Sequence, residues 1–229
     1  MQTEGKQHKI NLLSELSSED MQKLINSAVI NNYDRREVIY LPGDERTHVF
    51  LVIEGIVKLA RISEDGREII ITTAEAGEMF GELALVNPGP HDTMAEMMSD
   101  GKVAALDVHE LEEIMQEMPR LSLIIARIMG YRRMLLESKL EDLAFRNVPA
   151  RLAKFLLEEA ASRGNGIGGT IVLPSHYSQQ EIGSMIGSTR ETTSHFLNNF
   201  RKSGLIDFNK RLISILNPEK LAELSGAMA

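Results

Sequence analysis

The sequence predicts an α+β chain in two parts, an antiparallel β-barrel with flanking helices and, after one long helix, a small helical module closed by a hairpin. Three observations predict it. Short β-type runs between Arg36 and Leu106 are punctuated by turn residues at close intervals. Helical periodicity then takes over across residues 120–145. Two capped helical segments finally flank Gly187.

Leu16, Met21, Leu24, Ile25 and Val29 have helical spacing behind Ser17-Ser18-Glu19-Asp20, so residues 12–30 are expected as a helical lead-in. Strands are expected at 38–40, 49–53, 56–62, 69–73 and 103–106. Between them lie Pro42-Gly43-Asp44, Glu54-Gly55, Glu64-Asp65-Gly66, Ala76-Gly77, Pro88-Gly89-Pro90 and Asp100-Gly101. Many short strands at regular spacing make a barrel or sandwich. Residues 108–118 form a short helix, and Pro119 sits where a first helical turn tolerates it. On the long helix Leu121, Ile124, Ile128, Tyr131 and Leu135 repeat with a/d spacing, the pattern of a seam with a second copy of the helix. Ile125, Met129 and Leu136 lie off that seam, toward the barrel. Pro149 disfavours helix at the residue before it, which places a hinge at 146–149. The expected domains are therefore 1–118, a dimerisation helix 119–146, and 147–229.

With 229 residues the chain has core enough to need no staple. It has no Cys, which excludes disulfides, thiolate-held iron-sulfur clusters, Cys-type zinc sites and a cysteine nucleophile. Residues 1–11 are mostly polar and lack the apolar run of a secretory signal. The most apolar stretch, 121–129, is interrupted by Arg127 and falls far short of the ~20 residues of a membrane span. A cytoplasmic chain without a membrane partner is expected. The formal charge of -8 argues at first against a nucleic-acid partner. Residues 1–145 carry 15 Lys and Arg against 26 Asp and Glu, net -11, whereas 146–229 carry 10 against 7, net +3. The acidity belongs to the first part, and the second is compatible with a nucleic-acid surface.

The second part reads as a helix over 150–162, a glycine loop, a strand over 170–173, two short helices and a hairpin. Ser178-Gln179-Gln180-Glu181 is a capping box, Ile186-Gly187-Ser188 makes a turn, and Ser188-Thr189-Arg190-Glu191 repeats the box. This is a helix-turn-helix. On its second helix Thr193, Phe196, Leu197 and Phe200 face inward, which turns Glu191, Ser194, His195 and Asn198 outward. Arg190 can donate two bonds to guanine, Glu191 can accept from cytosine N4, and Ser194 and His195 add polar contacts to bases. Ser188, Thr189 and Thr192 bring hydroxyls and backbone N–H groups to a helix N-terminus that favours phosphate. Ser178 and Gln179 complete this DNA-binding set, and a hairpin over 207–211 forms a wing whose Lys210 and Arg211 reach backbone phosphates.

The chain resembles the CRP/FNR family of dimeric bacterial transcription regulators over nearly its whole length. The resemblance rests on Gln180-Glu181-Ile182-Gly183 through Gly187-Ser188-Thr189-Arg190-Glu191-Thr192, on residues 143–152 at the hinge, and on residues 77–85 in the barrel. It implies a β-barrel of the cyclic-nucleotide-binding type (a double-stranded β-helix), a long dimer helix and a winged helix reading a palindromic site. It further implies RNA polymerase as a partner if the protein activates. Glu191 matches the family's base-reading glutamate, Arg190 the arginine of cyclic-AMP-type members and Ser194 the serine of FNR-type members. His195 stands where most members have a second guanine-reading arginine, and imidazole lacks that bidentate fork.

The effector cassette resembles residues 81–85 onward, with Gly81, Glu82, Leu83 and Ala84 leading to Asp92 and Thr93. Glu82 fits the ribose-binding glutamate. Asp92 occupies the place of the phosphate-binding arginine, and a carboxylate there repels a phosphodiester. On the long helix Leu136 and Glu137 replace the polar pair that touches adenine. Both departures argue against cyclic AMP, and the missing cysteines exclude the iron-sulfur branch. Haem held by His8, His48, His91 or His109 stays open as an alternative, as does a binding module acting on protein partners, so the effector is unknown. Gly164-Asn165-Gly166-Ile167-Gly168-Gly169 fits G-x-G-x-x-G, but a helix precedes it and a strand follows, so it reads as a loop. The histidines lack the His-x-His spacing of a metal-dependent barrel enzyme. No metal site and no catalytic residue is expected.

Overall fold

The computed structural model describes residues 11–167, 170–173, 177–209 and 212–226. The chain forms two compact units that divide between Leu136 and Glu137.

In the first unit, helices α1 (Leu12–Glu15) and α2 (Ser18–Asn26) precede eight described strands: β1 (Ala28–Tyr33), β2 (Val38–Tyr40), β3 (His48–Glu54), β4 (Ile56–Ile62), β5 (Glu68–Glu75), β6 (Met79–Phe80), β7 (Met94–Met97) and β8 (Gly101–Asp107). A 3-10 turn, Glu82–Leu85, follows β6. The strands make two open antiparallel sheets, ordered β1-β8-β3-β6 and β2-β7-β4-β5. Alternation along β3 shows how they are covered. Phe50 and Val52 enter a core with Tyr40, Val57, Phe80 and Val103 from both sheets. Val49 and Leu51 point the other way, into a core with Leu24, Leu106, Leu111 and Leu121. A strand buried on both faces reads as an unbroken apolar run, which is what 49–53 looks like in the sequence.

The lead-in departs from expectation. α2 ends at Asn26, and residues 28–33 are strand rather than helix, pairing with β8 from Ala28 opposite Leu106 to Tyr33 opposite Gly101. The β-branched Val29 and Ile30 suit a strand, and the ladder partner far along the chain overrides the local period. β6 and β7 are additional strands, of two and four residues, too short to show a period.

α3 (Val108–Glu117) and α4 (Pro119–Phe145) follow. The apolar stripe expected as a seam is partly covered within the chain itself. Leu121, Ile124 and Ile128 are 0%, 1% and 5% exposed in a single chain, packed in the core that holds Leu111 and Leu106. Side chains without free surface cannot also cover a second helix. Tyr131 and Leu135 are half-buried. The large apolar residues that α4 exposes are Leu123, Met134, Leu136, Leu140, Leu143 and Phe145.

The second unit contains α5 (Val148–Arg163), β9 (Asn165–Ile167), β10 (Thr170–Val172), α6 (Gln179–Ile186), α7 (Arg190–Lys202), β11 (Ile206–Asn209), β12 (Leu212–Ile215) and α8 (Pro218–Ser225). Its antiparallel sheet runs β11-β12-β10-β9, and Leu152, Leu156, Ile182, Leu197, Ile213 and Leu221 form its core. The Asn147 side chain caps α5 by accepting from the Ala150 N–H, so Pro149 sits in a first turn where its missing donor costs nothing. The glycine loop is only partly a loop. Gly164 closes α5, and residues 165–167 are a strand paired with β10. Gly168 and Gly169 lie outside the described residues. No described helix is long and apolar enough to cross a membrane.

Candidate nucleic-acid interface and barrel cavity

The Ser178 hydroxyl accepts from the Glu181 N–H at 3.2 Å while the Glu181 carboxylate accepts from the Ser178 N–H at 2.6 Å. These reciprocal bonds start α6. It ends at Gly187 with φ of 64°, where an L side chain is strained by roughly 1–2 kcal/mol. The second cap lies one residue later than the sequence suggests. Thr189, not Ser188, accepts from the Thr192 N–H at 3.2 Å, and its own hydroxyl bonds the Thr192 hydroxyl at 3.0 Å. Glu191 is thereby left out of capping. Its side chain makes no hydrogen bond or ion pair among the described residues, and it is exposed.

The two faces of α7 separate cleanly. Thr193, Leu197 and Phe200 are buried at 0%, 1% and 5% exposure, and Phe196 is half-buried. Arg190, Glu191, His195 and Asn198 are exposed, with Ser194 half-buried. Around the N-termini of α6 and α7, Ser178 and Thr189 are exposed while Gln179, Ser188 and Thr192 are half-buried. Lys210 and Arg211 lie outside the described residues. The His195 ring accepts through Nε2 from the Asn199 amide at 3.0 Å, which leaves the proton of a neutral ring on Nδ1.

The contacts that hold α7 in place have no signature in the sequence. Arg151 donates to the carbonyls of Ile186 (2.7 Å), Gly187 (3.2 Å) and Arg146 (2.7 Å), tying the turn to the start of α5. Arg201, near the end of α7, bonds Asp207 on β11 at 3.1 Å and lies 6.0 Å from the Phe208 ring. The acceptors of Arg151 are backbone carbonyls, which carry no residue-type signal.

The first unit has a cavity of about 260 Å³, partly open to solvent, between its strands and α4. Of the predicted effector residues, Gly81, Glu82, Leu83, Asp92, Thr93 and Leu136 line it. Ala84 is instead packed in the core behind the 3-10 turn. Glu137 is not a wall residue and falls in the other unit. Both carboxylates in the cavity already have partners. Asp92 accepts from Arg46, at 3.4 Å, and from Arg61. Glu82, itself buried, accepts from Arg132 on α4. Tyr40 and His91 stack with ring centroids 3.7 Å apart. Burial, with the Arg46 charge, holds the His91 ring below its ordinary titration range, and burial pushes the Tyr40 phenol up.

Of the histidines considered for haem, His91 lines the cavity, His48 and His109 do not, and His8 lies outside the described residues. Among the described residues no group of three His, Cys, Asp or Glu side chains is placed to hold a metal ion.

Two family models match the chain, a cyclic nucleotide-binding domain over residues 30–118 and a Crp-like helix-turn-helix domain over residues 150–224. Over 191 residues the chain is 30% identical to the CRP-like cAMP-activated global transcriptional regulator of Mycobacterium tuberculosis, covering 83% of this chain and 85% of that protein. The chain belongs to the CRP/FNR family. A global nitrogen regulator of Synechocystis is 31% identical to this CRP/FNR member, covering 85% of this chain and 88% of that one. Among solved structures, a CooA variant from Carboxydothermus hydrogenoformans superposes with a TM-score of 0.82 at 30% identity, covering 95% of this chain and 97% of that one. The CRP/FNR chain is accordingly a transcription regulator with a helix-turn-helix DNA-binding domain, and it is not an enzyme.

Proposed function

We propose that this CRP/FNR regulator acts in the cytoplasm as a homodimer that reads a palindromic site in double-stranded DNA, one α7 per chain, without cyclic AMP as its effector. The observation that carries this is the exposed face of α7, with Arg190, Glu191, His195 and Asn198 free of the core that fixes the opposite face. Arg190 addresses guanine and Glu191 cytosine N4. Ser178, Gln179, Ser188, Thr189 and Thr192 take phosphate oxygens near helix N-termini, and Lys210 and Arg211, outside the described residues, add phosphate contacts. Pairing of two chains runs along α4 through its exposed apolar side chains, Leu123, Met134, Leu140 and Leu143 among them, with Tyr131 and Leu135 at the margin. The engagement of Asp92 by two arginines and of Glu82 by Arg132 supports a barrel that does not take a cyclic nucleotide. RNA polymerase is a further partner wherever the bound site favours activation.

Selection of bound sequences from random DNA, with and without cyclic AMP, tests the proposal. The expected result is an inverted repeat with half-site centres about one helical turn apart, ~10 base pairs, and the same site in both arms. Enrichment of single half-sites would remove the dimer, and enrichment only with cyclic AMP would remove the effector reading.

A further inference from the structure

The barrel cavity has a composition that restricts what can enter it. Most of its wall is apolar, with Leu59, Ile71 and Leu83 from the barrel facing Met129, Leu135 and Leu136 from α4. Its two acids are each met by arginine. Asp92 is bridged by Arg46 and Arg61, and Glu82 is closed off by Arg132, which also donates to the Met79 carbonyl. The side chains of Arg46, Arg132 and Glu82 are largely buried in these pairs. His91, stacked on Tyr40 and held below its ordinary range by burial, presents a neutral ring at pH 7. Arg133, also at the wall, is exposed to solvent.

We infer that the cavity binds an uncharged, predominantly apolar small molecule. This deepens the proposed function and rests on its reading of the barrel as a site that does not take cyclic AMP. An ionised ligand entering the cavity loses hydration, and a buried counter-charge there, on Arg46, Arg132 or Glu82, is gained only by pulling that side chain from its present partner. A neutral ligand breaks no ion pair and covers apolar wall, with Thr72 and Thr93 as the uncharged hydroxyl-bearing residues of the lining besides Tyr40.

The test is calorimetric titration of the full chain with naphthamide, with naphthoate, which has the same ring system and one negative charge, and with cyclic AMP. Naphthamide is expected to bind once per chain with a Kd at least about ten-fold below that of naphthoate, and cyclic AMP to give no binding heat. Ile71→Gln, which puts an amide into the wall, is expected to weaken naphthamide about ten-fold. Leu83→Gln, at an exposed wall position that tolerates polarity, repeats the test should Ile71→Gln unfold. Asp92→Asn leaves Arg46 and Arg61 without their carboxylate and is expected to improve naphthoate selectively. Naphthoate binding the parent chain as tightly as naphthamide overturns the inference. So does naphthamide binding that ignores both wall variants, or no binding of it at about 1 mM. The titration contains no DNA, so its failure and the failure of the palindrome reading are separate results.

Discussion

Arg132 on α4 donates to the carboxylate of Glu82 in the 3-10 turn, and a second guanidinium nitrogen donates to the carbonyl of Met79. The contact fastens the long helix to the barrel wall across the cavity. The Glu82 side chain is only 7% exposed, so its charge is tolerated because the partner is in place.

A buried pair of this kind is costly to break from one side, because the remaining charge stays buried and unmatched, typically at about 3–5 kcal/mol. Arg132→Met is expected to lose an amount of that order. Combining it with Glu82→Gln, which removes the orphaned charge, is expected to restore much of it. Urea denaturation of the four members of the cycle checks this, and strictly additive losses would show that the two side chains are not coupled.

His91 links acid stability to the cavity wall. Its folded-state pKa is lowered from 6.5 by burial and by the Arg46 charge, so between that value and 6.5 the unfolded chain binds the proton more readily. The stability contributed by the neutral ring is present above 6.5 and is lost as pH falls toward the folded-state pKa. His91→Phe keeps a ring against Tyr40 and removes the titration. Across about pH 5 to 7 the thermal midpoint of the parent is expected to fall more steeply toward acid than that of His91→Phe. Parallel curves would mean that His91 does not titrate differently on folding.

Gly183 sets the approach of α6 to α7. A Cβ at this position would stand 3.0 Å from the Ser188 carbonyl oxygen and 3.1 Å from Thr193 Oγ1, and Thr193 has no exposed surface into which it can move. Gly183→Ala is expected to cost about 1–3 kcal/mol by overpacking and to weaken DNA binding by displacing the turn. Denaturant midpoints and a binding isotherm on a selected site measure both. An unchanged midpoint would mean that the crossing has slack.

The DNA-binding module was legible because its signals are local. Ser178 caps three residues away, Gly187 marks the turn, and one period of α7 separates its two faces. Even there the cap on α7 lies one residue beyond the first candidate, since Ser188 and Thr189 are equivalent candidates until the backbone chooses. The barrel's apolar runs were equally readable, but not the pairs that fill its cavity. Arg46 lies 46 residues from Asp92, Arg61 31, and Arg132 50 from Glu82, and no spacing rule connects such positions. The stripe on α4 is ambiguous for a related reason. Its period identifies the apolar stripe but not what covers it, and for Leu121, Ile124 and Ile128 the covering surface is the chain's own sheet and helices.

His195 lies on the exposed face of α7. Its Nε2 is engaged by Asn199 at 3.0 Å, so a neutral ring offers one donor, Nδ1–H, to a base edge. Arginine at the same exposed position presents two parallel donors matched to guanine O6 and N7, worth about 1–3 kcal/mol of discrimination. His195→Arg is therefore expected to sharpen the preference for guanine at one position of each half-site while leaving stability within about 0.5 kcal/mol, since the site is on the surface. Glu191→Ala, which removes an acceptor with no partner among the described residues, should relax discrimination at a different position. Binding of both variants to single-base variants of the selected site, at one fixed salt concentration, gives the comparison. A change of equal size on selected and random DNA would mean that α7 does not lie against the bases.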